Sequence, residues 1–161
     1  DVRVSGDAVE VSGPRGKLSR TFDMQRVKIA VDGRDLIIGL NSMRRKHRAM
    51  FGTIRAHILN MFKGVTDGFT YKMRVVYSHF PITVKVEGKR VLINNFLGER
   101  APRVADIVGD TTVEVNGDEI IVKGLKKDEV GQTAFNIEQA TSIRGRDPRV
   151  FQDGCYIVER S

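Results

Sequence analysis

One pattern occurs twice in the chain, and a duplicated pattern limits the fold more than any other feature of its 161 residues. Short alternating apolar runs come first: Val2 and Val4, Val9 and Val11, then Val27, Ile29 and Val31, then Leu36 to Ile38. Gly13-Pro14, Gly16 and Asp32-Gly33 punctuate them. Apolar residues at period two, separated by turn residues, describe antiparallel strands, and Asp32-Gly33 is a hairpin signal. The period then changes. Phe51, Ile54, Ile58, Met61 and Phe62 recur at three and four, a helical stripe that Gly64 is expected to end. After a strand-like run from Phe69 to Tyr77 and a bend at Pro81, the order starts again. Thr83 to Val86 and Val91 to Ile93 flank Glu87-Gly88; Thr112 to Val115 and Ile120 to Val122 flank Asn116-Gly117; Val130, Ala134, Ile137 and Ala140 return to helical spacing.

The two halves align in register. Val9-x-Val11 with Gly16 matches Val91-x-Ile93 with Gly98, and Gly33-Arg34-Asp35-Leu36-Ile37-Ile38 matches Gly117-Asp118-Glu119-Ile120-Ile121-Val122. Gly52 and Ile58 match Gly131 and Ile137, and Asp67-Gly68 matches Asp153-Gly154. The offset stays near ~80 residues and drifts by only a few, as loop insertions and deletions in a duplicated unit produce. The expected fold class is α+β: two tandem repeats, residues 1–78 and 79–161, each an antiparallel sheet covered by one helix.

Charge narrows the function. Lys and Arg total 27 against 20 Asp and Glu, a net charge of +7 with a pI of about 9.8. That is the electrostatic footprint of a nucleic-acid binder, although membrane surfaces and acidic proteins attract the same charge. From Ser42 to Phe69 the chain holds Arg44, Arg45, Lys46, Arg48, Arg55 and Lys63, with no carboxylate before Asp67. Lys123, Lys126 and Lys127 precede the second helix, and Arg144, Arg146 and Arg149 follow it. Cations beside a helix N-terminus oppose the macrodipole unless an anion such as phosphate is bound there. The Gly and Pro of the Arg144 to Arg149 loop expose its guanidinium groups, which can clamp phosphates bidentately. Aromatic residues are 7% with no Trp, so folded, double-helical nucleic acid read through its backbone is expected over a single-strand stacking platform.

Enzyme chemistry finds little support. His47, His57 and His79 are the only histidines, and no paired-Cys or His-Glu-x-x-His metal pattern accompanies them. Neither a cofactor nor a metal is expected. Gly13-Pro14-Arg15-Gly16-Lys17 lacks the spacing of a nucleotide-binding loop and reads as a tight hairpin turn. Cys155 lies in the apolar run Cys155-Tyr156-Ile157-Val158, where a buried small hydrophobe is the default. A lone Cys makes no intrachain disulfide, consistent with a reduced, cytoplasmic protein. No run approaches the roughly 18 apolar residues of a membrane span. No secretory signal is visible; the chain begins at Asp1 without Met, leaving room for a leader or a few preceding residues.

Three strings resemble a known family. Gly13-Pro14-x-Gly16-x-Leu18, His47-Arg48-Ala49-x-x-Gly52-Thr53-x-Arg55-Ala56-x-Ile58-x-Asn60-Met61 and Gly64-Val65-Thr66-x-Gly68-Phe69 are similar to the first half of the universal large-subunit ribosomal protein family numbered six in bacteria and nine in eukaryotes. Val130-Gly131-Gln132-x-Ala134 resembles its second half. Tyr71-Lys72-Met73-Arg74 and Asn95-Phe96-Leu97-Gly98-Glu99 resemble the archaeal and eukaryotic branch. Where the bacterial second domain has a loop rich in Pro, Tyr, Lys and Gly, this chain has Arg144-Gly145-Arg146-Asp147-Pro148-Arg149. The resemblance implies a non-catalytic, ribosomal RNA-binding protein near the sarcin-ricin loop, where translational GTPases dock, with other ribosomal proteins as neighbours. It assigns RNA contact chiefly to the second domain, through Lys126, Lys127, Gln132, Asn136, Arg144, Arg146 and Arg149. Electrostatics alone adds Arg44, Arg45, Lys46 and Arg48, for which a neighbouring protein is the alternative partner. A free-standing nucleic-acid-binding or regulatory module outside the ribosome would show the same charge and repeat.

Overall fold

The computed structural model describes residues 1–23, 27–33, 35–40, 42, 44–147 and 149–161. Arg34 of the matched hairpin, Met43 of the basic stretch and Pro148 of the arginine loop lie outside the described residues. The chain forms two compact units, Asp1–Gly68 and Phe69–Ser161.

In the first unit, β1 (Val2–Ser5), β2 (Ala8–Gly13) and β3 (Gly16–Thr21) form an antiparallel meander with β2 in the centre. The alternation of the sequence decides its faces: Val9 and Val11 are buried between exposed Glu10 and half-buried Ser12. A hairpin follows, β4 (Val27–Asp32) and β5 (Asp35–Leu40), registered with Ile29 opposite Ile38. Helix α1 (Arg45–Thr66) buries Ile54, Ile58, Met61, Gly64 and Val65, while Arg48, Arg55 and Lys63 face outward. This is the stripe expected from the sequence, with Phe51 and Phe62 at its half-buried margins. Gly64 does not end the helix. Its missing side chain fits the buried face, and the stop comes at Gly68, whose φ of +76° carries the chain out of the helix while its N–H and that of Asp67 return to the Lys63 carbonyl at 3.0 and 2.8 Å.

The Gly13 to Lys17 stretch is the expected β2–β3 turn, and it is docked on the helix end. Arg15 N donates to the Val65 carbonyl at 3.1 Å, and a Cβ on Gly13 would lie 2.7 Å from that same carbonyl. Glycine at this position is therefore a condition of helix–turn packing.

The second unit repeats the order of meander, hairpin and helix and ends on a further strand. β7 (Thr83–Glu87), β8 (Arg90–Asn94) and β9 (Arg103–Asp106) form the meander, and β10 (Thr112–Asn116) and β11 (Glu119–Gly124) the hairpin. α2 (Lys127–Ala140) and β12 (Gly154–Arg160) complete it. Val91 and Ile93 on central β8 are fully buried, as Val9 and Val11 are on central β2 or nearly so. The matched turn glycines Gly33 and Gly117 have φ of +61° and +60°. The fold is thus α+β with two repeated antiparallel units.

The junction between units falls earlier than the expected division at residue 78. β6 (Phe69–Val76), read from the sequence as the last strand of the first repeat, belongs by its pairing to the second unit, whose sheet runs in the order β10-β11-β6-β12. Its inward residues Phe69, Tyr71, Met73 and Val75 are buried with Ile120, Val122, Val130, Ala134, Ile137 and Cys155 in one core. Apolar pairing decides the boundary, because β6 has partners on both edges only in that sheet. No described helix is long and apolar enough to cross a membrane.

Candidate nucleic-acid interface

The residues expected to meet RNA in the second unit fall in two places, the first turns of α2 and the loop that follows it. Lys126 occupies the extended N-cap of α2 without a side-chain cap, and Asp128 and Glu129 lie in the first turn. These carboxylates suit the positive end of the helix without any bound anion, which corrects the expectation drawn from the lysines alone. Lys126 Nζ donates to Glu129 Oε1 at 2.9 Å, and Lys123 Nζ to Glu114 Oε2 at 2.9 Å. Lys127 is exposed. One helical turn on, Gln132 Nε2 donates to Asn136 Oδ1 and Asn136 Nδ2 to the Asp106 carbonyl, both at 2.9 Å. Asn136 therefore ties α2 to β9, and Gln132 is the exposed member of the pair.

The loop from Thr141 to Asp153 is held at both roots. At the first, Arg103 of β9 donates through NH1 to the carbonyls of Ala140 and Ser142 at 2.9 and 3.0 Å, satisfying acceptors that the end of α2 leaves open. The same guanidinium lies 4.3 Å over the buried Phe96 ring and forks onto Glu99. At the second root, Asp153 is fully buried. Its Oδ1 accepts from Ser78 Oγ at 3.0 Å and lies 3.1 Å from His79 Nδ1, and its Oδ2 accepts from Ser78 N and His79 N at 3.3 Å each. Burial alone pushes the Asp153 carboxyl up, but the hydrogen bonds from His79 and Ser78 outweigh it and hold it below its ordinary value.

Between the roots, Asp147 shapes the loop. Its Oδ1 accepts from Arg149 N at 3.0 Å, and its carbonyl accepts from Val150 N and Phe151 N at 3.1 and 3.0 Å. Arg144, Arg146 and Arg149 are all exposed. Arg146 lies 4.8 Å from the Phe151 ring centre, and the other neighbour of that ring is His79, stacked at 4.6 Å and 21°. This ring supports a loop arginine within the protein, which is distinct from the single-strand base-stacking platform that the low aromatic content argues against. Phe151, His79 and Asp153 were not among the expected site residues. Their sequence signal was slight: Asp153 was visible only as the partner of Asp67, which is exposed in the first unit.

In the first unit Arg44 takes the extended N-cap position of α1, with no side-chain cap and no acidic residue in the first turn. Arg44, Arg45, Lys46 and Arg48 are exposed. The two basic approaches therefore differ: the one at α2 is offset by its own carboxylates, and the one at α1 is not.

Cys155 is fully buried, and burial pushes its thiol up to about 12, against the hydrogen bonding of Thr141. His57 is half-buried beside Phe22, with ring centres 6.5 Å apart. Among the described residues no group of three His, Cys, Asp or Glu side chains is placed to hold a metal.

Comparison with known proteins places this architecture. The family model described as Ribosomal protein L6 matches residues 1–68 and 80–154. The protein named large ribosomal subunit protein uL6 of Methanothrix thermoacetophila is 56% identical over 160 residues, covering 99% of this chain and 91% of the relative. Its namesake in Methanosarcina mazei is 49% identical with the same coverage. That of Thermoplasma acidophilum is 47% identical over 159 residues, covering 99% of this chain and 89% of the relative. With a duplicated α+β fold, a family match across both units and relatives near half identity along almost its whole length, this chain belongs to the ribosomal protein L6 family.

Proposed function

We propose that this chain is a non-catalytic constituent of the large ribosomal subunit that binds large-subunit rRNA, mainly through its second unit. The supporting observation is the loop after α2. Its two roots are fixed by Arg103 and Asp153, and Arg144, Arg146 and Arg149 project into solvent between them. A fixed loop loses little conformational freedom on binding, and guanidinium forks match phosphate oxygens. Lys127 and Gln132 extend the same contact along the exposed side of α2, while Lys126 and Asn136 mainly hold the protein's own structure. The run Arg44, Arg45, Lys46 and Arg48 supplies a second, charge-only contact from the first unit. The location that follows from the family resemblance is the neighbourhood of the sarcin-ricin loop and the docking region of translational GTPases, with other ribosomal proteins beside it, in the cytoplasm.

Sedimentation of native ribosomes in moderate salt tests this reading. The expected result is stoichiometric recovery of the chain with the large subunit, and hydroxyl-radical cleavage directed from the arginine loop should mark rRNA near the sarcin-ricin loop. Recovery only in the free fraction would favour a stand-alone nucleic-acid-binding module.

A further inference from the structure

Arg146 differs from the other loop arginines in having its guanidinium over an aromatic ring. We infer that Phe151, His79 and Asp153 form a positioning relay that holds the Arg146 guanidinium ready for an RNA phosphate. The inference rests on the rRNA-binding reading above and deepens it. An arginine on an exposed loop samples many rotamers, and ordering it on binding opposes association. Here one face of the group rests 4.8 Å from the Phe151 ring centre, which restrains the side chain and leaves the N–H edge available.

Phe151 is itself held in place. It is half-buried, and its ring stacks on His79 at 4.6 Å. His79 Nδ1 lies 3.1 Å from Oδ1 of Asp153, which is fully buried one residue before β12. Backbone N–H groups of Ser78 and His79 donate to the same carboxylate, so the relay connects the loop tip to the segment between β6 and β7. Glu99 is one carboxylate whose charge reaches Arg146, and both of its oxygens are taken by Arg103. Arg146 is thus left stacked and facing solvent, where a phosphate can meet it.

A double-mutant cycle on the full chain tests the relay, with a large-subunit rRNA transcript as the probe, filter binding as the readout and circular dichroism as the check on folding. Arg146→Ala should weaken binding about ten- to a hundredfold, the loss of a charge-assisted hydrogen bond. Phe151→Leu should weaken it about two- to fivefold, and Phe151→Trp should restore it. The relay predicts that Phe151→Leu adds nothing once Arg146→Ala is present, yet keeps its full effect in a Lys127→Ala background. His79→Leu, at a partly exposed position, should repeat the pattern if Phe151→Leu proves poorly folded. Full effects of the ring variants in the Arg146→Ala background would overturn the relay and leave the rRNA-binding reading intact. An unchanged affinity for Arg146→Ala would overturn the relay together with the assignment of Arg146 to RNA.

Discussion

Arg103 grips both carboxylate oxygens of Glu99, with Nε to Oε2 at 2.9 Å and NH2 to Oε1 at 2.7 Å. Its remaining nitrogen closes the end of α2 through the carbonyls of Ala140 and Ser142. The fork is what allows one side chain to serve four acceptor oxygens, and a lysine, with three donors on one nitrogen, could not do so. The pair holds the Glu99 carboxyl below its usual range, through the Arg103 hydrogen bond first. Glu99 is 42% exposed, so the ion pair itself adds little in water, and the helix-end contacts carry more.

Arg103→Leu should therefore destabilise the second unit by about 1–3 kcal/mol, and Glu99→Gln by under about 1 kcal/mol. Urea unfolding of the two variants checks this. Equal losses would mean that the contacts at the end of α2 contribute nothing.

Asp153 sets the acid limit of the same region. Its folded-state pKa lies below the ordinary 3.8, because hydrogen bonds overcome the opposing effect of burial. A depressed acid contributes stability that is fully present above the unfolded value and is lost as pH falls through the folded one. The wild-type urea midpoint should thus drop below about pH 4, in the range where carboxylates become protonated. Asp153→Asn should lose about 2 kcal/mol at neutral pH, since its amide NH2 cannot accept from the donors around it, and should show a shallower acid limb. An acid limb as steep as that of the wild type would place the titrating group elsewhere.

The pairing of β6 makes a prediction about where the chain can be divided. A fragment from Phe69 to Ser161 retains a continuous β11-β6-β12 arrangement and should fold by itself, as the compact unit it forms implies. A fragment from Phe80 onward lacks the strand between β11 and β12, with Phe69, Tyr71, Met73 and Val75 of the core. It should remain unfolded, by circular dichroism and by narrow amide proton dispersion. Folding of the shorter fragment would show that β6 is dispensable.

Much of this fold was legible in the residues because each repeat obeys local rules: alternating strands, turn glycines at Gly33 and Gly117, and a helical stripe through Ile54, Ile58 and Met61. The ownership of β6 was not legible. A strand that alternates Phe69, Tyr71, Met73 and Val75 fits any sheet with a free edge, and periodicity does not say which edge it takes. The arginines of the site were visible as charge. Their support was not, because Phe151, His79 and Asp153 are separated in sequence by up to seventy-odd residues and meet only through tertiary packing. The carboxylates of α2 were visible too, but reading the lysines without Asp128 and Glu129 overstated the unmatched charge at that helix.

If the arginine loop meets rRNA through phosphates, its binding should depend steeply on salt. Affinity of the full chain for a large-subunit rRNA transcript should be measured over a series of salt concentrations, with and without replacement of Arg144, Arg146 and Arg149 by Ala. Binding should weaken, and the log–log slope should become shallower by somewhat under one unit for each lost contact, so roughly two to three units in all on the duplex scale. A variant that binds with the wild-type slope would contradict this, and would move the phosphate contacts to Arg44, Arg45, Lys46 and Arg48 at the start of α1.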